Sequence, residues 1–354
     1  MKKSLLIILF SVQLLTGQTV RKYSNEFLNI GVDAASLGMG KAVVASSRDV
    51  NSTYWNPAGL TAVTDYQGSF MHASYFAGIA NYDYAAFAMP VDRHSALGIS
   101  LIRFGVDDIL DTTELIDNDG NIDYNRISLF SAADYALNFA YARNLLLQGF
   151  DIGFNVKLIH RIIGDFANSW GFGLDASAQF ERNNWKFGLM LRDITTTFNT
   201  WSFNEEAFKK IADAIPGENQ ELPESTELTL PKMQLGAAKK FELSRDFGLL
   251  TELDLNFRFT QTNDIISSSF VSINPAFGFQ ADYINMVFLR AGIGEFQNEL
   301  QFDNSQTVTL QPNFGVGFRY KGIQIDYALT NIASVGNALY SNIFSIKLDF
   351  DEFR

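Results

Sequence analysis

The chain has no cysteine. That excludes disulfides, thiolate-bound metals, a cysteine nucleophile and acylation of the lipoprotein type. It has only three histidines, His72, His94 and His160, too scattered to suggest a zinc site. No apolar run reaches 18 residues, so no helix of this chain spans a bilayer. Positive charge is scarce as well: the net charge is -12 and there is no basic stripe, so a nucleic-acid partner is not expected.

What the chain has is aromatic surface. It is 47% hydrophobic and 14% aromatic, with 32 Phe and 13 Tyr, yet its mean hydropathy is only +0.01. High aromaticity at near-zero hydropathy fits strands with one face in lipid and the other in water. The first residues read differently. Lys2 and Lys3 precede an apolar centre from Leu5 to Leu15, and Thr16-Gly17-Gln18 supplies small and polar residues for cleavage. Residues 1–18 are therefore expected to be a secretory signal peptide.

Strict alternation begins to dominate in the middle of the chain. Ala133, Tyr135, Leu137, Phe139 and Tyr141 share one face, while Asp134, Ala136, Asn138, Ala140 and Ala142 share the other. Phe150 to Leu158, Trp170 to Phe180, Trp185 to Leu191, Phe247 to Phe259, Phe314 to Tyr320 and Phe344 to Phe350 repeat the pattern. A soluble β-sandwich also alternates. Two features favour a membrane: apolar faces that begin or end in aromatics, and segments of about 9–11 residues, the length of a tilted spanning strand.

The expected fold is a 14-stranded antiparallel transmembrane β-barrel over 67–354, with a small N-terminal plug or hatch over 19–66. Strands are expected to start near Gln67, Asn81, Ser95, Ala132, Phe150, Ser169, Asn184, Lys232, Asp246, Asn274, Met286, Leu310, Ile323 and Asn342. Short turns alternate with longer loops, the longest being Gly105–Ser131 and Asp193–Pro231. Short turns are characteristic of the periplasmic side, so both termini are expected there. Within the second loop, Phe203, Ala207, Phe208, Ile211 and Ile215 recur at helical spacing. Phe203, Phe208 and Ile211 are candidates for a partner-binding surface; a helix simply packed at the rim is the plainer reading.

Few motifs suggest chemistry. Asp117 to Asp123 spaces oxygen ligands like a calcium loop, but its glycine is misplaced and no closing Glu follows, so it reads as a turn. Gly38-Met39-Gly40 lacks a preceding strand and a third glycine, so close packing explains it better than a nucleotide. His160, beside Arg161 in a strand, is expected to have a lumen or interface role without catalysis. No nucleophile and no paired carboxylates emerge from spacing, so neither an enzyme nor a cofactor is expected. Lumen-side Asp134, Asp151, Lys157, Asp175, Lys186, Arg192, Glu252, Asp254 and Arg258 either pair with one another or line a wet channel.

One stretch carries a family resemblance. Phe27 to Ala42, which contains Leu37-Gly38-Met39-Gly40-Lys41-Ala42, is followed by Asp49 and then by Trp55-Asn56-Pro57-Ala58-Gly59-Leu60. These boxes, in this order and spacing, resemble the PorV/PorQ family of FadL-like outer-membrane barrels from Bacteroidetes-type bacteria. PorV itself tends toward Asn-Pro-Ala-Lys, so the chain resembles a paralogue. Gly38, Gly40, Asp49, Trp55, Asn56, Pro57, Ala58 and Gly59 carry the resemblance. It implies a 14-strand barrel in a Gram-negative outer membrane, in contact with membrane lipid and lipopolysaccharide. It also implies a non-enzymatic part in type IX protein secretion, with translocon subunits or cargo C-terminal domains as partners. The alternative is a FadL-like channel for hydrophobic small molecules, with residues 18–66 as its hatch. An apolar tunnel would favour that alternative, and a closed polar lumen would argue against it.

Overall fold

The computed structural model describes residues 24–116, 121–145, 148–214, 224–301, 305–330 and 341–353. The expected signal segment and residues 117–120 of the acidic turn lie outside these.

Seventeen strand segments form one closed antiparallel sheet. They are β1 (Gln67–Tyr75), β2 (Ala80–Asp92), β3 (Ser95–Asp111), β4 (Ser128–Asn144), β5 (Phe150–Ile163) and β6 (Ala167–Arg182). Then come β7 (Trp185–Arg192), β8 (Thr197–Phe203), β9 (Thr226–Thr229), β10 (Lys232–Glu242) and β11 (Phe247–Arg258). The last are β12 (Ile266–Ser267), β13 (Ser272–Tyr283), β14 (Val287–Leu300), β15 (Gln306–Tyr320), β16 (Ile323–Thr330) and β17 (Ser341–Asp349). Pairing of β1 with β17, Gln67 opposite Asp349, closes the ring. Fourteen segments circle the barrel, because β8 and β9 lie above β7 and β10 and β12 is a short spur on β13.

Alternation sorts the side chains as the strand period requires. On β17 Phe344 is 55% exposed and the next residue, Ser345, 3%. Phe314 and Asn313 on β15 repeat the contrast at 55% and 3%. The inward face is polar and packed; the outward face is an apolar band around most of the ring. Tyr66 and Phe87 stack at 5.9 Å, and Trp185 and Phe187 at 6.0 Å, at the end of the short turns. Such a band is stable only in contact with hydrocarbon, and closing the ring removes the sheet edges that would leave backbone groups unpaired there.

Two expected loops are corrected. Residues 193–231 are not all loop. Leu191 of β7 pairs with Ala176 and Phe198 of β8 with Phe172, so both segments run along β6. Between them Asp193 and Thr196 adopt positive φ, 55° and 60°, and bulge out of the ladder. The bulge destroys the period of two, which is why the alternation stops there. Residues 105–131 shorten likewise: β3 reaches Asp111 past a register shift between Val106 and Ile109, where Asp108 has a φ of 58°. Ile116 and Ile122, on either side of residues 117–120, form an antiparallel bridge.

Among the described residues, the α-helices beside the sheet are α1 (Ala34–Gly38), α2 (Ser52–Trp55) and α3 (Glu205–Ala214). The last follows Asn204, whose Oδ1 accepts from Ala207 N at 3.3 Å. Phe203 ends β8 rather than lying in the helix, and both Phe203 and Phe208 are half-buried. The Ile211 side chain falls outside the description.

Candidate functional site, the plugged lumen

Residues 24–66 precede β1 and lie inside the barrel. Val32, Leu37, Val44, Val50, Trp55 and Leu60 are all buried. This segment has no regular sheet to satisfy its backbone, so the wall must supply partners. It does so with carboxylates. On β11, Asp254 Oδ2 accepts from Val43 N at 2.9 Å and Val44 N at 3.0 Å, and Glu252 Oε1 accepts from Ala45 N at 2.6 Å. Gln67 Oε1 accepts from Val50 N at 3.1 Å.

The residues of the N-terminal boxes sit where plug meets wall. Asn56 is fully buried. Its Oδ1 accepts from Ala58 N at 3.2 Å, capping a 3-10 helix over Pro57–Ala62. Its Nδ2 donates to Val44 O at 2.8 Å and, more weakly, to the wall carbonyls of Ala178 and Leu189 at 3.4 and 3.5 Å. Ala58 N also donates to Ser177 Oγ of β6 at 3.0 Å. Trp55 Nε1 donates to Val32 O at 3.1 Å, tying the two boxes together. Asp49 pairs with Lys347 of β17 at 2.6 Å.

Glycines let the two backbones touch. Gly40 has a φ of 66°, and a Cβ there would sit 2.8 Å from Ile293 N. A Cβ on Gly38 would lie 3.0 Å from the Cα of Gly315. From the wall side, a Cβ on Gly292 would fall 2.1 Å from Met39 C, and on Gly153 2.2 Å from Ala58 N. Gly59 is confined within the plug, 2.1 Å from Ser47 O on the same construction.

The mixed lumen charges pair. Lys157 lies 2.9 Å from Asp175 and 2.5 Å from Asp193, Arg161 2.8 Å from Asp134, and Arg290 2.6 Å from Asp326. Lys41 of the plug meets Glu295 at 2.8 Å. Arg192 stacks over Tyr54 at 4.6 Å and donates to its carbonyl at 3.0 Å. Asp193, Glu295 and Asp326 were not among the residues singled out by patterning. Asp193 and Glu295 occupy bulges with positive φ, and a break in alternation is the one signal that marks them. Asp33, near Asp49 and Asp326, has its carboxyl pushed up to about 6, by burial first and by those two carboxylates next.

Small spaces remain between the plug and the wall among the described residues. A cavity of about 70 Å³ lies between the plug and β10–β14, lined by Leu28, Tyr54, Trp55, Met233 and Phe257 together with Lys41, Arg192, Lys232, Arg258 and Glu295. A second of about 10 Å³, beside Asn155, Lys157 and Asp193, is the size of one water. The lumen is closed and largely polar, with no apolar tunnel among the described residues. His160 is not in the lumen: it faces outward and stacks on Trp170 at 4.0 Å. Among the described residues no group of three or more His, Asp or Glu is placed to hold a metal.

No family model and no curated protein matches the sequence. Solved structures do match. A FadL homologue of Pseudomonas aeruginosa superposes with a TM-score of 0.53 at 11% identity, over 90% of this chain and 98% of that one. The monoaromatic hydrocarbon channel CymD gives 0.54 at 13%, over 90% and 97%. The toluene transporter TodX of Pseudomonas putida gives 0.53 at 12%, over 90% and 96%. At such identities the likeness shows the fold: this chain is built as a FadL-like barrel.

Proposed function

We propose that this protein is an outer-membrane channel that admits hydrophobic small molecules, with residues 24–66 as its hatch and its termini on the periplasmic side. The observation that carries the reading is a plug held by hydrogen bonds and ion pairs inside a wall whose fold matches hydrocarbon channels along nearly its whole length. An aromatic ring needs a cavity of about 150 Å³; the main chamber, of about 70 Å³, is too small. The closed polar lumen argues against a standing tunnel, so the channel proposed is a gated one, in which passage requires the plug to shift. The bulge at Asp193–Thr196 breaks the ladder directly after Arg192, which lines the chamber, and is the proposed place for a lateral exit.

The test is uptake into liposomes containing the full-length protein. Labelled toluene should enter at least tenfold faster than into protein-free liposomes, while a disaccharide should not. Equal entry of both solutes, or of neither, overturns the proposal. A role in type IX secretion rests on likeness of the N-terminal boxes, and no contact in the structure favours it over transport.

A further inference from the structure

The outward face is not uniformly apolar. On β13–β15 it presents Phe277, Phe279, Leu289, Phe314, Val316 and Phe318, as lipid demands. On β1–β3 the same face carries charge. His72 and Asp83, cross-strand partners, meet at 2.7 Å; Arg103 lies 3.8 Å from Asp83 and 2.9 Å from Asp107. His72, Asp83 and Asp107 are well exposed, at 59%, 45% and 42%, and Arg103 is half-buried at 28%. Ser74, Asn81 and Asn342 flank them on the same face, and the Tyr327 hydroxyl donates to Asn342 Oδ1 at 2.6 Å.

Height decides what this means. Phe87, stacked on Tyr66, marks the aromatic rim at the short-turn end. Asp83 lies four residues further along the same face of β2, which is about 10 Å higher for a tilted strand. The apolar band of such barrels is about 25 Å tall. The charged group therefore falls inside the band, where hydrocarbon solvates neither sign. A surface of this kind belongs against protein.

We infer that the β1–β3 sector is an interface on which a second copy of this barrel docks. Charge complementarity selects that occupant. Asp83 and Arg103 are cross-strand partners at one height, so a two-fold axis along the membrane normal and between them sets Arg103 of each copy against Asp83 of the other. Both signs are present in one patch, as an isologous contact requires. The inference is independent of the transport reading, because uptake does not depend on pairing.

Absence of native cysteine makes the experiment clean. Full-length protein carrying Asn81→Cys or Ser74→Cys is reconstituted in lipid nanodiscs large enough for two barrels and oxidised mildly. Heat-modifiable migration on gels confirms that each barrel is folded. At least one of the two should give a disulfide-linked homodimer at five times or more the yield of Val316→Cys, which sits in the apolar sector. Adding Asp83→Arg should cut that yield at least fivefold, and Asp83→Arg with Arg103→Asp should restore it. Equal yields from both sectors, a single-barrel mass in native mass spectrometry, or cross-linking in native membranes only to a different protein would overturn the inference.

Discussion

Lys347, on the last strand, holds Asp49, in the segment before the first strand, at 2.6 Å. Their separation in sequence is 298 residues. The pair ties the plug to the seam where β1 and β17 close the barrel, and both side chains are largely buried. Replacing Lys347 by Met leaves Asp49 unpaired near Asp33 and should loosen the plug by about 1–3 kcal/mol. Amide exchange over residues 43–50 should then rise at least about fivefold, with strand amides unchanged. Unaltered exchange in the plug would show that the pair is not a restraint.

Asn56 offers a sharper comparison. Asn56→Ala removes the helix cap and the bond to Val44 O, and should cost about 2–3 kcal/mol of plug stability. Asn56→Asp keeps the cap but turns a carboxylate toward the carbonyls of Val44, Ala178 and Leu189. It should be the more damaging change. Acrylamide quenching of Trp55, which is 3% exposed, reads both: the order should be Asp above Ala above wild type.

Wall glycines predict where bulk is refused. Gly153→Ala and Gly292→Ala place a methyl against plug backbone at 2.2 and 2.1 Å, and should cost about 3 kcal/mol or more or displace the plug. At Gly68 an added methyl meets nothing nearer than 3.8 Å, so Gly68→Ala should be tolerated. The unfolding temperatures of the three variants check this, and a similar drop in all three would contradict it.

The plug should also respond to pH. Asp33 titrates near 6 when buried, against an ordinary 3.8. A raised acid pKa means the docked plug binds the extra proton. Its contribution to docking is complete below about 4 and is lost as pH rises through 6. The charged groups that act on it are Asp326, Asp49 and Lys347. Trp55 should therefore be better protected from quencher at pH 4.5 than at pH 7, and Asp33→Asn should flatten that difference. A profile unchanged by Asp33→Asn would assign the response elsewhere.

Removing Lys157 should expose a buried repulsion. It stands between Asp175 and Asp193 beside the wall bulge. Lys157→Met should destabilise the barrel by about 3–5 kcal/mol. Adding Asp193→Asn should recover part of that, measurable as the urea midpoint of unfolding. No recovery would mean that the two acids are not coupled through the lysine.

Alternation was enough to determine the barrel: its strand number, its closure into an even ring and the face of Phe344 against Ser345. A period of two is written locally, residue by residue, and lipid on one side enforces it along every strand. The helix after β8 was legible for the same reason, as a local period of 3.6. The bulges at Asp108, Asp193 and Glu295 were not, because one extra residue erases the period without leaving another. The site lay furthest from view. Asp49 and Lys347, Val43 and Asp254, or Asn56 and Ala178 share no local pattern. Only closing the ring brings the first and last strands together and encloses a volume in which an irregular segment must find every hydrogen bond on the wall. The sequence alone therefore determined a membrane barrel with a leading segment expected as a plug, and tertiary structure decided which wall residues hold that segment in the lumen.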